Sequence, residues 1–568
     1  MLATLFNWLV VSWFCFLVGT RIEDSLWKVR PAVAGLWQIP LTLLHGLAGC
    51  TLLASITSLF WPLNWETLIK FSAVAMLESL LHLGFYVKAF KNRLIKLDKG
   101  FWQLGIFAVL AFGVFYLKSF SPSEIFDEGA YYRPFIVAAE KFGIVPGLGN
   151  LNLHSALNSS WHVVQALFGM KGFWFPPGVY DLNGLLCVWL LGMAVFAGHT
   201  ALRSKNLGVK TLPLLLLFAL PAFVYRNLLT GPSSDIPAIA ISWLVWILFL
   251  FRALEKDKDA ANYFNFSLIW LGLFVFTIKL TSIMLLLPGL FLVLWWMVNR
   301  QRKLAGIWMV VGLLVLFPHL YRNYILSGYL FYPLTQFDWF SPDWKVPLDR
   351  IQNKFYMAQF GAFAPPENYS LSWLKSWFSA FNVESRVIIG LAFMQLLAGP
   401  FLLWYYRNQF GLFFRALYVS MLAASLVWLF SVTEPRYGFG TLLILALGLI
   451  VLIIIRFNDR WVLGGYFGLI IGLQSTHFVK TVREFEFEKI RWWKGSAIPP
   501  VINEKMECGN FTVNTPVSYK SNVPGDKPVF CWDIKFPCLP KEDVQDAYRI
   551  VKRTNKLADG FKSLPAKP

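Results

Sequence analysis

Long apolar runs separated by short polar connections repeat along the chain to about residue 477. A helix needs about 20 consecutive apolar residues to cross a bilayer core. On that ruler fourteen spans are expected, at 2–20, 33–57, 65–87, 101–120, 182–200, 211–229, 235–252, 263–278, 282–298, 304–326, 387–405, 411–430, 438–455 and 461–477. The stretch 263–298 is long enough for one helix, but the polar Leu-Thr-Ser after Lys279 argues for a break there. The first run lacks a basic leader and a small-residue cleavage site, so it reads as a retained span. The expected fold class is an all-α polytopic membrane protein. Two long loops, 121–181 and 327–386, interrupt the pattern, and a mixed-charge tail with strand-like pieces occupies 478–568.

Composition agrees with this reading. Of 568 residues 57% are hydrophobic and only 15% charged, against roughly 25% charged in soluble proteins. The 53 Phe, 26 Trp and 20 Tyr suit aromatic belts at the headgroups. Trp339, Trp344, Trp373 and Trp377 in the second long loop suit short helices lying in the interface. A net charge of +19 would elsewhere suggest nucleic acid. Here 20 of the 51 Lys and Arg fall in the alternate short loops 21–32, 88–100, 201–210, 253–262 (with Arg252), 299–303, 406–410 and 456–460. The opposite short connections, 58–64, 230–234, 279–281 and 431–437, carry only Lys279 and Arg436. Basic loops face the cytoplasm. The N-terminus, both long loops and the tail are therefore expected on the outer side, and no nucleic-acid partner is expected.

Cys15, Cys50 and Cys187 lie in apolar runs, and Cys508, Cys531 and Cys538 in the tail. The tail is expected to form a small outer cap, α/β or irregular, with a Cys531–Cys538 bridge if its compartment is oxidising. No Cys/His metal spacing occurs, so no cofactor and no tight metal site are expected.

Four polar clusters fall on the expected outer side. Phe126–Arg133 contains adjacent acids, Asp127 and Glu128, suited to general-base work or to pairing with Arg133. Gly231–Pro237 contains Asp235, which can cap the next helix. Lys279 can snorkel to the interface or hold an anion. Glu434-Pro435-Arg436-Tyr437 offers a guanidinium to Glu434 or to a phosphate. A carboxylate with converging cations suits transfer from a phosphate-linked lipid. Arg322 is placed to reach a phosphate or the headgroups. His154, Asn158 and Trp161 suit either sugar contact or the loop's own backbone, and Tyr131 either substrate contact or interface anchoring. Glu78 and His82, and Glu66 and Lys70, sit one helical turn apart, suggesting ion movement or mutual neutralisation.

The order of Asp-Glu-x-x-Tyr, Asp-x-Pro, Thr-x-Lys and Pro-Arg-Tyr resembles GT-C-type polytopic glycosyltransferases, most closely the protein-mannosyltransferase and aminoarabinose-transferase (family 39-like) branch. The resemblance covers about 101–477 and leaves 1–100 as additional N-terminal helices. It departs from that branch in the Leu after the lysine and in the small tail. It implies Asp127 as catalytic base, Lys279 near the carrier phosphate, and Arg436-Tyr437 facing the site. HSALNSSW (154–161), Arg322-Asn323, Leu326–Tyr329, Tyr332-Pro333 and Trp344–Pro347 resemble a group of uncharacterised bacterial membrane proteins. The expected function is transfer of a sugar from a polyprenyl-phosphate donor to a glycan, lipid or protein acceptor of the envelope, at the outer face of the cell (inner) membrane. Asp235 or Glu128 would orient groups. A lipid-linked glycan flippase and a non-enzymatic envelope assembly protein are the alternatives.

Overall fold

The computed structural model describes residues 1–27, 38–93, 104–121, 127–172, 178–204, 207–224, 227–352, 371–405, 411–431, 434–485, 501–519, 530–540 and 548–564. Of the sequence expectations, 33–37, 101–103, 225–226, Phe126, the side chain of Trp373 and parts of the basic loops lie outside the described residues. The protein is mostly helical. Its first helices are α1 (Leu2–Trp27), α2 (Gln38–Thr57), α3 (Trp65–Leu81), α4 (Leu83–Arg93) and α5 (Gly105–Phe120). The first long loop forms α6 (Arg133–Phe142), α7 (Leu148–Leu151) and α8 (Ser160–Phe168). Then come α9 (Leu182–Arg203), α10 (Leu212–Phe223), α11 (Asp235–Leu254), α12 (Lys258–Ile278), α13 (Leu287–Val298) and α14 (Arg302–Ser327). The series closes with α15 (Leu371–Ser379), α16 (Val383–Tyr405), α17 (Leu412–Ser431), α18 (Pro435–Phe457) and α19 (Arg460–Glu484).

Eleven helical segments among the described residues are long and apolar enough to cross a membrane, or twelve if the bent pair α3–α4 is one span. The protein is thus a multi-pass membrane protein. Three of the fourteen expected spans differ from straight, full-length helices. The 65–87 segment bends by 80° between α3 and α4. There Glu78 accepts from Arg21 of α1 (2.7 Å) and from Tyr86 (2.9 Å), and His82 Nδ1 lies 3.1 Å from it. Glu78 thus pairs with Arg21 of the neighbouring helix as well as lying beside His82. Helices α5 and α10 are shorter, at 16 and 12 residues. In α10 an internal Pro221 removes a backbone donor just before the helix stops. The expected break at Lys279 is present: α12 ends at Ile278, Lys279 is extended, and a 3-10 turn, Leu280–Leu286, leads into α13.

Burial sorts the helices. The apolar window of α12 is 94% buried, whereas those of α14, α16 and α19 are 28% buried. The latter therefore form the rim, with exposed Leu313, Leu397 and Trp461 suited to lipid. The N-terminal helices are woven into the centre: α2 packs on α1, α8, α9, α12 and α14. Between α1 and α2 the contact is backbone to backbone, since a Cβ on Gly46 would overlap the Cys15 carbonyl. Small residues permit such approach where no hydrophobic effect drives helices together in lipid. A buried cluster adds polar glue: Glu23 of α1 meets His45 of α2 (2.8 Å) and Tyr263 of α12 (3.1 Å).

The cap contains two antiparallel hairpins and no α-helix among the described residues: β1 (Val501–Cys508) with β2 (Phe511–Tyr519), and β3 (Ile550–Lys552) with β4 (Phe561–Ser563). It docks on both long loops. Phe561 N donates to the Pro146 carbonyl (3.0 Å), Arg553 pairs with Asp343 (2.9 Å) and Arg549 with Asp349 (3.2 Å). In the second loop Trp377 is buried and Trp339 is exposed.

The α1–α2 seam yields a first prediction. Gly46→Val drives the two backbones apart and costs about 1–3 kcal/mol of overpacking, lowering the melting temperature of the purified protein in detergent. Gly468→Ala, where an added Cβ meets open space, leaves it unchanged.

Candidate active site

The site is built where the ends of five segments meet on one side of the bundle. Asp235 opens α11, and its carboxylate does not cap that helix. It faces Lys279, with which it forms an ion pair, and its Oδ2 lies 3.6 Å from Arg436 Nη1. Arg436 Nη1 is also 3.6 Å from Asp127 Oδ2, and its Nε is 2.9 Å from Glu434. The Lys279 ammonium sits 4.0 Å over the Tyr437 ring, whose hydroxyl accepts from Arg436 (3.1 Å). Five charged residues spread over more than 300 positions thus form one network. Arg436 supplies the positive charge between Asp127, Asp235 and Glu434. Of the two aspartates, the Asp235 side chain is 2% exposed and that of Asp127 21%. Asp127 is the aspartate open to an incoming group.

Beside these charges a narrow cleft of about 30 Å³ lies between α11, the 280–286 turn, α17 and α18. Ala238, Ser242, Ala424, Ser425 and Gly438 keep its walls thin, and apolar Met284, Trp428 and Leu442 alternate there with the hydroxyls of Thr281, Ser282 and Thr441. A charged end leading into a slot of mixed polarity can take an anionic head with a short stretch of its chain.

The acid turn is held from behind. A π-helical turn, Glu128–Tyr132, sends the two neighbouring acids in different directions. Glu128 is wholly buried and takes the Arg133 Nε at 2.6 Å. It packs so closely on Gly231 that a Cβ there would collide with it. Glu128, grouped with Asp127 in the sequence, therefore acts inside the fold. Tyr132 reaches Asp127 Oδ2 at 3.5 Å. Burial pushes the phenols of Tyr131 and Tyr132 well above their ordinary range, so both stay neutral donors. Tyr131 stacks on His154 with ring centres 5.0 Å apart.

Other residues named from the sequence fall outside the cluster. Trp161 is fully buried, and its indole donates to Asn183 (2.9 Å). Asn183 in turn donates to the Gly231 (2.7 Å) and Ser233 (3.0 Å) carbonyls, fixing the turn before Asp235. Asn158, at φ 44°, joins the loop to α14 through the His319 carbonyl (3.0 Å) and Asn323 (2.7 Å). Arg322 donates to Asn158 (3.0 Å) and to Ser58, so it clamps α14 to the end of α2 rather than reaching the cleft. Sequence reasoning missed Asn183 and His162. His162 is buried and packs its ring 4.6 Å from that of Tyr132. Burial drives its pKa down to about 3, so it is neutral. Its position directly after HSALNSSW was the available signal.

Helices and cleft together define a multi-pass membrane protein with a charged site at one set of helix ends. The chain matches, over residues 1–443, a family described as a domain of unknown function (DUF8201), and it belongs to that family. No curated protein matches the chain. The matched region contains the whole charged cluster and stops before the tail.

The loop around the site contains a pH-sensitive carboxyl. Burial raises Glu140 from 4.5 to about 7, against the opposing pull of Lys171 at 3.5 Å and the Tyr180 hydroxyl at 2.5 Å. A raised folded-state value means that the folded protein binds the proton more tightly. Its stabilisation is full below about pH 4.5 and is lost as pH rises to about 7. Glu140→Gln should flatten the fall of melting temperature across that window by about 1–3 kcal/mol, read from thermal unfolding at a series of pH values.

Proposed function

We propose that the protein is a membrane glycosyltransferase that moves a sugar from a polyprenyl-phosphate donor to an envelope acceptor at the outer face of the membrane. One observation carries the reading: Asp127, Asp235, Lys279 and Arg436 form one charged network, and the last three line a cleft between α11, α17 and α18. The donor phosphate rests against Lys279 and Arg436, and its prenyl chain follows the slot between α11, α17 and α18. The GT-C-like order of motifs supports the same assignment.

In the reaction Asp127 takes the proton of an acceptor hydroxyl. That oxygen bonds to the anomeric carbon as the carbon–oxygen bond to phosphate breaks. The electron pair leaves on the phosphate, where Lys279 and Arg436 offset the developing charge. Asp235 keeps both cations aimed before the donor arrives, so little reorganisation is needed during the step. The neutral phenols of Tyr131 and Tyr132 border the base without competing for its role.

Asp127→Asn is expected to lower kcat by about a hundredfold or more with normal insertion and little change in donor KM. Lys279→Gln is expected to reduce kcat/KM by about a hundredfold. Transfer assays with purified protein and polyprenyl-phosphate sugars check both. Full activity in the correctly inserted Asp127→Asn variant contradicts the assignment.

A further inference from the structure

The tail touches the acid turn directly. Trp532 N–H donates to the Gly129 carbonyl (3.1 Å). A Cβ on Gly129 would lie 2.6 Å from the Trp532 ring, so only glycine admits the indole there. The next residue, Asp533, faces Arg133 Nη1 at 3.8 Å and Lys171 at 3.9 Å, with both carboxylate oxygens shut off from solvent. Arg133 is the residue that holds Glu128. Burial works against its charge, and Glu128 and Asp533 outweigh that effect and hold its pKa above the ordinary value.

The loop that presents Trp532 and Asp533 has a fixed shape. Cys531 and Cys538 are bonded, while the other four cysteines are free and buried. Asn514 of β2 donates through its side chain to the Lys535 carbonyl (2.7 Å) and through its backbone to Pro537 (3.0 Å). Phe536 packs on Phe142 of α6 with ring centres 5.5 Å apart. Trp532 itself sits at φ 44°, a conformation a bulky residue keeps only when its surroundings over-determine it. Closure of the loop removes the freedom that would let it relax. With both sulfurs buried, the bond acts as a permanent staple.

We propose that the disulfide-closed loop 531–538 is a positioning element of the active site. Its Trp532 amide fixes Gly129, and its Asp533 keeps Arg133 on Glu128. The π-turn so held turns Asp127, two residues before Gly129, toward Arg436. Asp533 is thus a positioning residue, and the catalytic unit extends past residue 443, where the family match ends. The inference rests on Asp127 being the base in the function proposed above.

The test compares full-length wild type, C531S/C538S, Asp533→Asn and Asp533→Glu by two readouts. One is amide hydrogen exchange over 127–135, which is independent of activity. The other is steady-state sugar transfer. In C531S/C538S and Asp533→Asn the amides of 129–133 should exchange about tenfold faster or more. In the same variants kcat should fall about tenfold, while donor KM stays within about threefold. Asp533→Glu should restore both readouts. Unchanged exchange in both C531S/C538S and Asp533→Asn overturns the proposal whatever the activity, and so does faster exchange with unchanged kcat. If exchange rises while no form, wild type included, transfers sugar, the loop's hold on the turn stands and the glycosyltransfer reading falls.

Discussion

Asp235 stands almost wholly removed from water at the first turn of α11, and a carboxylate so placed stays charged only with cations close against it. Its two cations come from different directions. Lys279 arrives from the break between α12 and the 280–286 turn, and Arg436 from the first turn of α18. The ion pairs therefore fasten three central helices at one end. The break after Ile278 gains a physical role here, since it places the lysine at the end of a buried helix and beside the acid. The charges that fasten the helices also create the mouth of the cleft, so stability and site share the same atoms.

Around this point each layer restrains the one inside it. Trp161 and Asn183 fix the turn that delivers Asp235, His162 packs against Tyr132, and Arg133 with Glu128 sets the turn that delivers Asp127. The two long loops thus hold the site in place rather than merely linking helices, and the cap closes over them through Phe561, Arg553 and the 531–538 loop. A reacting group needs this kind of support, because a displacement of about 1 Å can cost a hundredfold in rate. Asp127 is left with a carboxylate oxygen shared between Arg436 and Tyr132 and with a side chain still partly exposed.

Periodicity carries information about what faces lipid, so the spans and the break at Lys279 were readable in the chain. The bend between α3 and α4 was not, since the apolar run continues through it, and neither was the contact of Arg21 with Glu78 more than 50 residues away. Charge in the short connections singled out Lys279 and Arg436, since so few charged residues lie on that side. Types and order of residues could not separate Asp127 from Glu128: two adjacent acids look alike until a π-turn points them apart. Trp161, Asn158 and Arg322 suited sugar or phosphate chemistry by type, yet their hydrogen bonds are spent within the fold. Asn183 carried no pattern of its own, and His162 only its place directly after HSALNSSW. The cap's grip on Gly129 joins segments some 400 residues apart, a distance over which local pattern says nothing.

The central claim is that the Lys279–Arg436 mouth receives the phosphate of a membrane-borne carrier. An experimental structure of the protein in lipid with a polyprenyl phosphate added in excess tests it most directly. The account predicts phosphate density within hydrogen-bonding reach of Lys279 and Arg436, with the prenyl chain lying between α11, α17 and α18. A carrier phosphate bound elsewhere, with that mouth and slot unchanged, would contradict it.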